Sequence, residues 1–319
     1  MKKTLIGAVA ATSAMALVAL MSPSQAATPH VIEPTKLPDG PAVQIPHLEG
    51  KTIVDGDLKL RVKGKQVVLL GAADDGYAVV VRSTGAWTTQ VVAPGRAPRL
   101  IAKRTTPDEV VLASDGGTVA ITTSATRKST VIEVRLTSTS DLVEKEAFAG
   151  YPRVLDIEGS QAVVGGFDTG GISWNLADGT TSAISGRPTY FADISSNRLA
   201  YFTKDPYDGG CSVLTRLDKP RKTLWRSCAE AVREVSPDGR RIATTHKLAD
   251  GLGPSRVLER TAAGRHLATY DAPYFFGTIR WESNTALLLD VYGRKNGATA
   301  RCTEAVCERA ADLGRTPDF

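Results

Sequence analysis

The sequence predicts an all-β chain folded as a β-propeller of about six four-stranded blades, with a seventh blade admissible. Three observations carry that expectation. Short apolar runs such as 67–70, 78–81, 110–113 and 286–289 alternate with Gly, Asp, Asn, Ser and Pro along the chain, the cadence of strands and turns. No stretch keeps a helical period beyond two turns; 141–148 and 307–313 come nearest, and both read equally well as strands. A hairpin motif recurs at intervals of 37 to 52 residues, close to the ~40–45 residues of a propeller blade.

Taken from the start, residues 1–26 read as a signal peptide. Lys2 and Lys3 are followed by an uncharged apolar run, Pro23, and the small residues Ser24 and Ala26 before a cleavage point between Ala26 and Ala27. The run is shorter than the ~18–20 residues of a spanning helix, so no membrane insertion is expected. Residues 27–56 form an extended lead-in rich in proline, with at most one strand, and residues 57–319 form the propeller.

The clearest hairpin is Val235-Ser236-Pro237-Asp238-Gly239-Arg240-Arg241-Ile242-Ala243, a strand entering and leaving a tight turn. Further copies anchor on Val62, Thr105, Ile157, Ile194 and Trp281, giving six blades. The longest interval leaves 114–136 as an insertion or an extra hairpin. The Ser-Pro-Asp-Gly-Arg-Arg-Ile-Ala stretch resembles the repeat of TolB-type, WD-repeat-like propellers of exported bacterial proteins. That resemblance implies a fold and a habit of binding partners through one face. It implies no enzymatic activity.

Four cysteines in an exported chain point to disulfides. Cys211 and Cys228 sit symmetrically about a turn at Asp218-Lys219-Pro220, and Cys302 and Cys307 flank a turn at Glu304-Ala305. Cross-strand neighbours lie close enough for a bridge, so the expected pairs are Cys211–Cys228 and Cys302–Cys307. Without Lys2 and Lys3 the chain carries 37 basic and 34 acidic residues, a net +3. That balance is too even to suggest nucleic acid as a partner.

Named catalytic signatures are absent: no Gly-x-Ser-x-Gly, no His-Glu-x-x-His and no phosphate-cradling glycine loop occur. No cofactor and no metal is expected. Two patterns emerge from aligning the blades. The first is a set of loops read as second-to-third-strand connections on one face. They carry Asp74, Asp75, Asp115, Asp168, Asp205, Tyr207, Asp208, Asp250 and Tyr292. Carboxylates beside aromatics at a propeller mouth suit a cation, a sugar or a basic peptide, although Asp and Gly are also what tight turns require. The second is a belt of charges just before each anchor: Arg61, Arg104, Asp156, Asp193, Glu234 and Arg280. On axial strands these would ring the channel, basic on one side and acidic on the other; inter-blade salt bridges are the plainer account.

The expected function is a secreted, monomeric, non-enzymatic propeller binding a protein or cell-envelope component through the Asp-rich face. The alternative is a propeller hydrolase or lyase acting on an extracellular carbohydrate or lactone through Asp168, Asp205 or Asp208. It requires two of these carboxylates to converge beside a pocket.

Overall fold

The Ser236-Pro237-Asp238-Gly239 turn shows how one blade begins. It joins strand Glu230–Val235 to strand Arg241–His246. Ser236 Oγ donates to Asp238 Oδ1 (2.8 Å) and accepts from Arg241 N (2.9 Å), while Gly239 N closes on Ser236 O (2.7 Å). Gly239 stands at φ 69°, and a Cβ there would meet Ser196 O of the preceding blade at 3.0 Å. Glycine is therefore required both for the turn and for the approach of its neighbour.

The computed structural model describes residues 29–249 and 251–316. The predicted signal peptide and Asp250 lie outside the described residues. Strand β1 (His30–Val31) comes first. Blade I holds β2 (His47–Glu49), β3 (Thr52–Asp55) and β4 (Leu58–Arg61). Blade II holds β5 (Gln66–Ala73), β6 (Gly76–Arg82), β7 (Trp87–Val92) and β8 (Arg99–Lys103). Blade III holds β9 (Val110–Leu112), β10 (Thr118–Ala125), β11 (Ser129–Leu136) and β12 (Leu142–Ala149). Blade IV holds β13 (Arg153–Glu158), β14 (Gln161–Gly166), β15 (Gly170–Asn175) and β16 (Thr181–Ser185). Blade V holds β17 (Thr189–Asp193), β18 (Arg198–Phe202), β19 (Ser212–Arg216) and β20 (Thr223–Ser227). Blade VI holds β21 (Glu230–Val235), β22 (Arg241–His246), β23 (Arg256–Thr261) and β24 (His266–Asp271). Blade VII holds β25 (Phe275–Trp281), β26 (Leu287–Tyr292), β27 (Asn296–Thr303) and β28 (Val306–Arg309), with β29 (Gly314–Arg315) returning to β27.

The protein is thus an all-β, seven-bladed propeller. Each sheet is an antiparallel meander, and β1 adds to the outer edge of blade VI in parallel with β24. Strands β5, β9, β13, β17, β21 and β25 pack against one another around the axis. In blades II–VII, consecutive antiparallel strands put the first-to-second connections on one face and the second-to-third and blade-to-blade connections on the other. The latter is the entry face, where the axial strands begin; the former is the exit face.

Blade I supplies the blade beyond the six expected, and much of it comes from the lead-in. Leu48, Ile53, Leu58 and Leu60 share a core with Val79 and Val81 of blade II, so this apolar pattern organises a sheet despite the prolines upstream. Its strands occupy the second, third and fourth places. Strand β2 lies beside β5 as β10 lies beside β13, and the 62–65 link leads from β4 to β5 on the entry side, where Lys65 N meets Arg82 O. Among the described residues, no strand fills the axial place of blade I.

The hairpins anchored on Ile157, Ile194, Val235 and Trp281 form as expected. The other two do not: Val62 lies in the β4–β5 link and Thr105 in the β8–β9 link, between blades. The runs 67–70 and 110–113 belong to first strands and not second ones, and no special turn residue distinguished the two cases. The stretch 114–136 holds β10 and β11, with no insertion. Both disulfides form as expected. Cys211–Cys228 clips the open ends of β19 and β20, and Cys302 pairs Cys307 across β27 and β28. No helix among the described residues is long and apolar enough to cross a membrane.

Candidate binding face and channel

The loops grouped as one Asp-rich face divide between the two faces. Asp74 and Asp75 sit in the β5–β6 turn and Asp115 in the β9–β10 turn, which are first-to-second connections on the exit face. Asp75 is engaged there with Arg99 (2.5 Å) and Arg96 (3.0 Å). The Arg99 hydrogen bond holds its carboxyl below the usual range. Asp168, Asp205, Tyr207 and Asp208 lie on second-to-third connections of blades IV and V, on the entry face, and Tyr292 ends the second strand of blade VII on that same side. Asp205 turns its carboxylate onto Tyr207 N (2.8 Å), as turn chemistry requires. Among the described residues no three His, Cys, Asp or Glu side chains gather around a metal position.

What the entry face does present is an arc of apolar side chains. Tyr151, Phe167, Tyr207, Leu252 and Tyr274 are all exposed, Tyr207 at 68% and Phe167 at 58%. They come from the loops and links of blades IV to VII, and two of them, Phe167 and Tyr274, rest on other rings. Phe167 stacks on Phe202 (6.1 Å), which stacks on Tyr190 (4.3 Å). Tyr190 OH pairs with Ser212 Oγ (2.6 Å) and accepts from Val232 N (3.0 Å), and burial pushes its phenol up to about 12. Further round, Tyr274 packs edge-on against Phe275, and Phe275 against Tyr292 at 4.8 Å. Tyr292 and Asp290 line a cleft of about 390 Å³ at the seam between blades VII and I. Burial, then Asp290, raises the Tyr292 phenol.

Basic groups flank the arc. Lys247 Nζ holds Gly210 O (2.6 Å), Arg187 holds Thr203 O (3.1 Å) and Arg153 reaches Tyr190 O (3.3 Å). Tyr207 belongs to the loops singled out by the sequence, whereas Tyr151 and Tyr274 stand on blade-to-blade links, outside the second-to-third-strand connections. The signal available was a Tyr just before each of the axial strands β13 and β25.

The channel belt divides as well. Asp156, Asp193, Glu234 and Arg280 stand on the axial strands β13, β17, β21 and β25. Arg61 is exposed on the outer strand β4, and Arg104 is exposed in the β8–β9 link at φ 59°; neither stands on an axial strand. Both were misplaced with their hairpin anchors. The acidic side therefore remains. Asp156 accepts Ile194 N (2.6 Å) across the blade boundary and Ile157 N (2.9 Å). Burial raises its pKa to about 6, and nearby Asp193 adds to the shift. Asp193 caps its own turn through Ser195 and Ser196. Burial, and again Asp193, lift Glu234 to about 8. Arg153 and Arg233, one on each of two axial strands, were missed by the belt; burial first and Arg233 second lower the pKa of Arg153. Among the described residues no salt bridge joins Asp156, Asp193 or Glu234 to a cation.

No protein-family model and no curated protein matches the chain. Solved structures do match it. An uncharacterised protein, lmo1340 from Listeria monocytogenes EGD-e, is 13% identical with a TM-score of 0.51, covering 80% of this chain and 83% of that one. A chain of the mitotic checkpoint complex is 12% identical at 0.51, with 81% and 85% covered. A prolyl endopeptidase studied for inter-domain dynamics is 11% identical at 0.56; the match spans 79% of this chain and 43% of the endopeptidase. At these identities the likeness is one of fold.

Proposed function

We propose that this chain is a secreted, non-enzymatic propeller of the TolB type that binds a protein or cell-envelope component through its entry face. The observation that carries this reading is the set Tyr151, Phe167, Tyr207, Leu252 and Tyr274, exposed on the entry-face loops and links of four consecutive blades. Exposed apolar groups clustered on one face mark interaction sites. Rings already fixed by stacking lose little side-chain entropy on binding, which favours aromatic anchors. Asp168, Asp205, Asp208 and Lys204, all on second-to-third connections of blades IV and V, give this face a mixed polar character, which suits orientation more than affinity. The signal-like N-terminus and two disulfides support an oxidising compartment outside the cytoplasm. The Ser-Pro-Asp-Gly repeat supports the TolB type.

The test is capture from the producing cell's envelope and medium with residues 27–319, followed by titration of the purified partner. A Phe167→Ala/Tyr207→Ala/Tyr274→Ala variant should weaken binding by tenfold or more, whereas Asp75→Ala on the exit face should leave it unchanged. Equal binding by all three proteins would sink the entry-face assignment.

A further inference from the structure

Between blades VI and VII, opening on the entry side, lies a cavity of about 300 Å³ whose walls include Arg233, Glu234, Gly253, Gly277 and Ile279. Gly251, Gly253 and Gly277 leave that wall without side chains beside the partly buried Glu234. Arg233, the nearest cation in sequence, is committed elsewhere: Nε donates to Thr245 Oγ1 (2.8 Å) and Nη2 to Ala249 O (3.0 Å). The Glu234 carboxylate has neither an ion pair nor a hydrogen bond among the described residues. A carboxylate out of water without a partner is costly, and a ligand that supplies the counter-charge removes that cost.

The charged groups on the axial strands to either side are Asp193 on β17 and Arg280 on β25, with Asp156 one strand beyond on β13. Asp193 repels the Glu234 charge, while Arg280 acts on Glu282 of its own blade. Among the described residues no three His, Cys, Asp or Glu side chains gather at the cavity. Among the described residues, one unpaired carboxylate beside the apolar Ile279, in a cavity at the small end of the ligand-binding range, matches an ammonium head on a short aliphatic stem.

We propose that this cavity binds an alkylammonium group, presented either by a free amine or by a polypeptide, with Glu234 as its counter-ion. The proposal is independent of the entry-face partner above. Because Glu234 holds its proton near neutrality, binding an ammonium ion expels one proton. Affinity rises about tenfold per pH unit up to about 8 and then levels off.

Isothermal titration with butylammonium chloride and with acetyl-lysine amide, at pH 6, 7 and 9 and in two buffers of different ionisation enthalpy, reads both affinity and protons. Expected are binding that strengthens from pH 6 to pH 9, close to one proton released at pH 7, and loss of both in Glu234→Gln. Asp193→Asn should retain binding but move its pH midpoint downward. Response to both probes assigns a free amine as sufficient; response to acetyl-lysine amide alone assigns a polypeptide source. Absence of binding at pH 9, or equal binding by a Glu234→Gln protein whose thermal melt shows it folded, overturns the proposal.

Discussion

At the residue scale the acidic side of the channel makes a definite demand on stability. Glu234 and Asp156 hold their protons more tightly in the folded protein than in the unfolded chain, mainly because burial penalises the ionised form. Such groups contribute stability that is fully present below the unfolded carboxylate value of roughly 4. That stability is lost as pH rises through about 6 for Asp156 and about 8 for Glu234. Glu234→Gln should therefore melt close to the wild type at pH 4 to 5. At pH 9 it should melt higher by at least the ~2–4 °C that about 1 kcal/mol gives a domain of this size. Differential scanning fluorimetry across that range measures it, and a constant offset would contradict the assignment. Glu234 was legible in the sequence as one of a run of pre-anchor charges. Its lack of a partner was not, because Arg233 could have paired with it and is instead drawn to Thr245 and Ala249.

At the element scale the two disulfides differ in the chain they constrain. Cys211–Cys228 encloses 17 residues of separation and Cys302–Cys307 only 5. In the chain-entropy picture the longer loop is worth about 3 kcal/mol and the shorter about 2 kcal/mol. Replacing Cys211 and Cys228 by Ser should lower the urea midpoint more than replacing Cys302 and Cys307, and the reverse order would argue against the entropic account. These hairpins, and the one at Ser236–Gly239, were readable because their determinants are local: a symmetric cysteine pair, a Pro that fixes φ, a Gly that accepts positive φ. In blades II and III the first strands carry no such marker. There Val62 and Thr105 passed for hairpin residues, and Asp74, Asp75, Arg61 and Arg104 went to the wrong place with them.

At the scale of the whole molecule, ring closure rests on the lead-in being pinned to blade VII. Arg301, only 9% exposed, donates to Pro41 O (2.7 Å) and Ala42 O (2.9 Å). It is also paired with Glu282 (2.5 Å) and Glu308 (3.0 Å). Glu282 in turn accepts Gln44 N (2.7 Å). Nearby, Val43, Leu288 and Ala310 form a small apolar contact. Removing Arg301 leaves the largely buried Glu282 uncompensated, so Arg301→Ala should cost about 3–5 kcal/mol. It should also raise amide exchange in 39–49 ahead of the other blades. Uniform exchange throughout the ring would show that closure does not depend on this contact.

The all-β class, the propeller, both disulfides and the placing of Asp156, Asp193, Glu234 and Arg280 on first strands were legible without the structure. Each of these follows from spacing and turn chemistry within a few tens of residues. The tertiary structure decided the blade count, because blade I is recognisable as a sheet only once Leu48 and Ile53 meet Val79 and Val81. It also decided which loops share a face. A shift of one strand in the reading frame moves a loop to the opposite side of an antiparallel meander, so face membership depends on which strand lies at the axis. That choice is made by packing between blades and not by any residue in the loop.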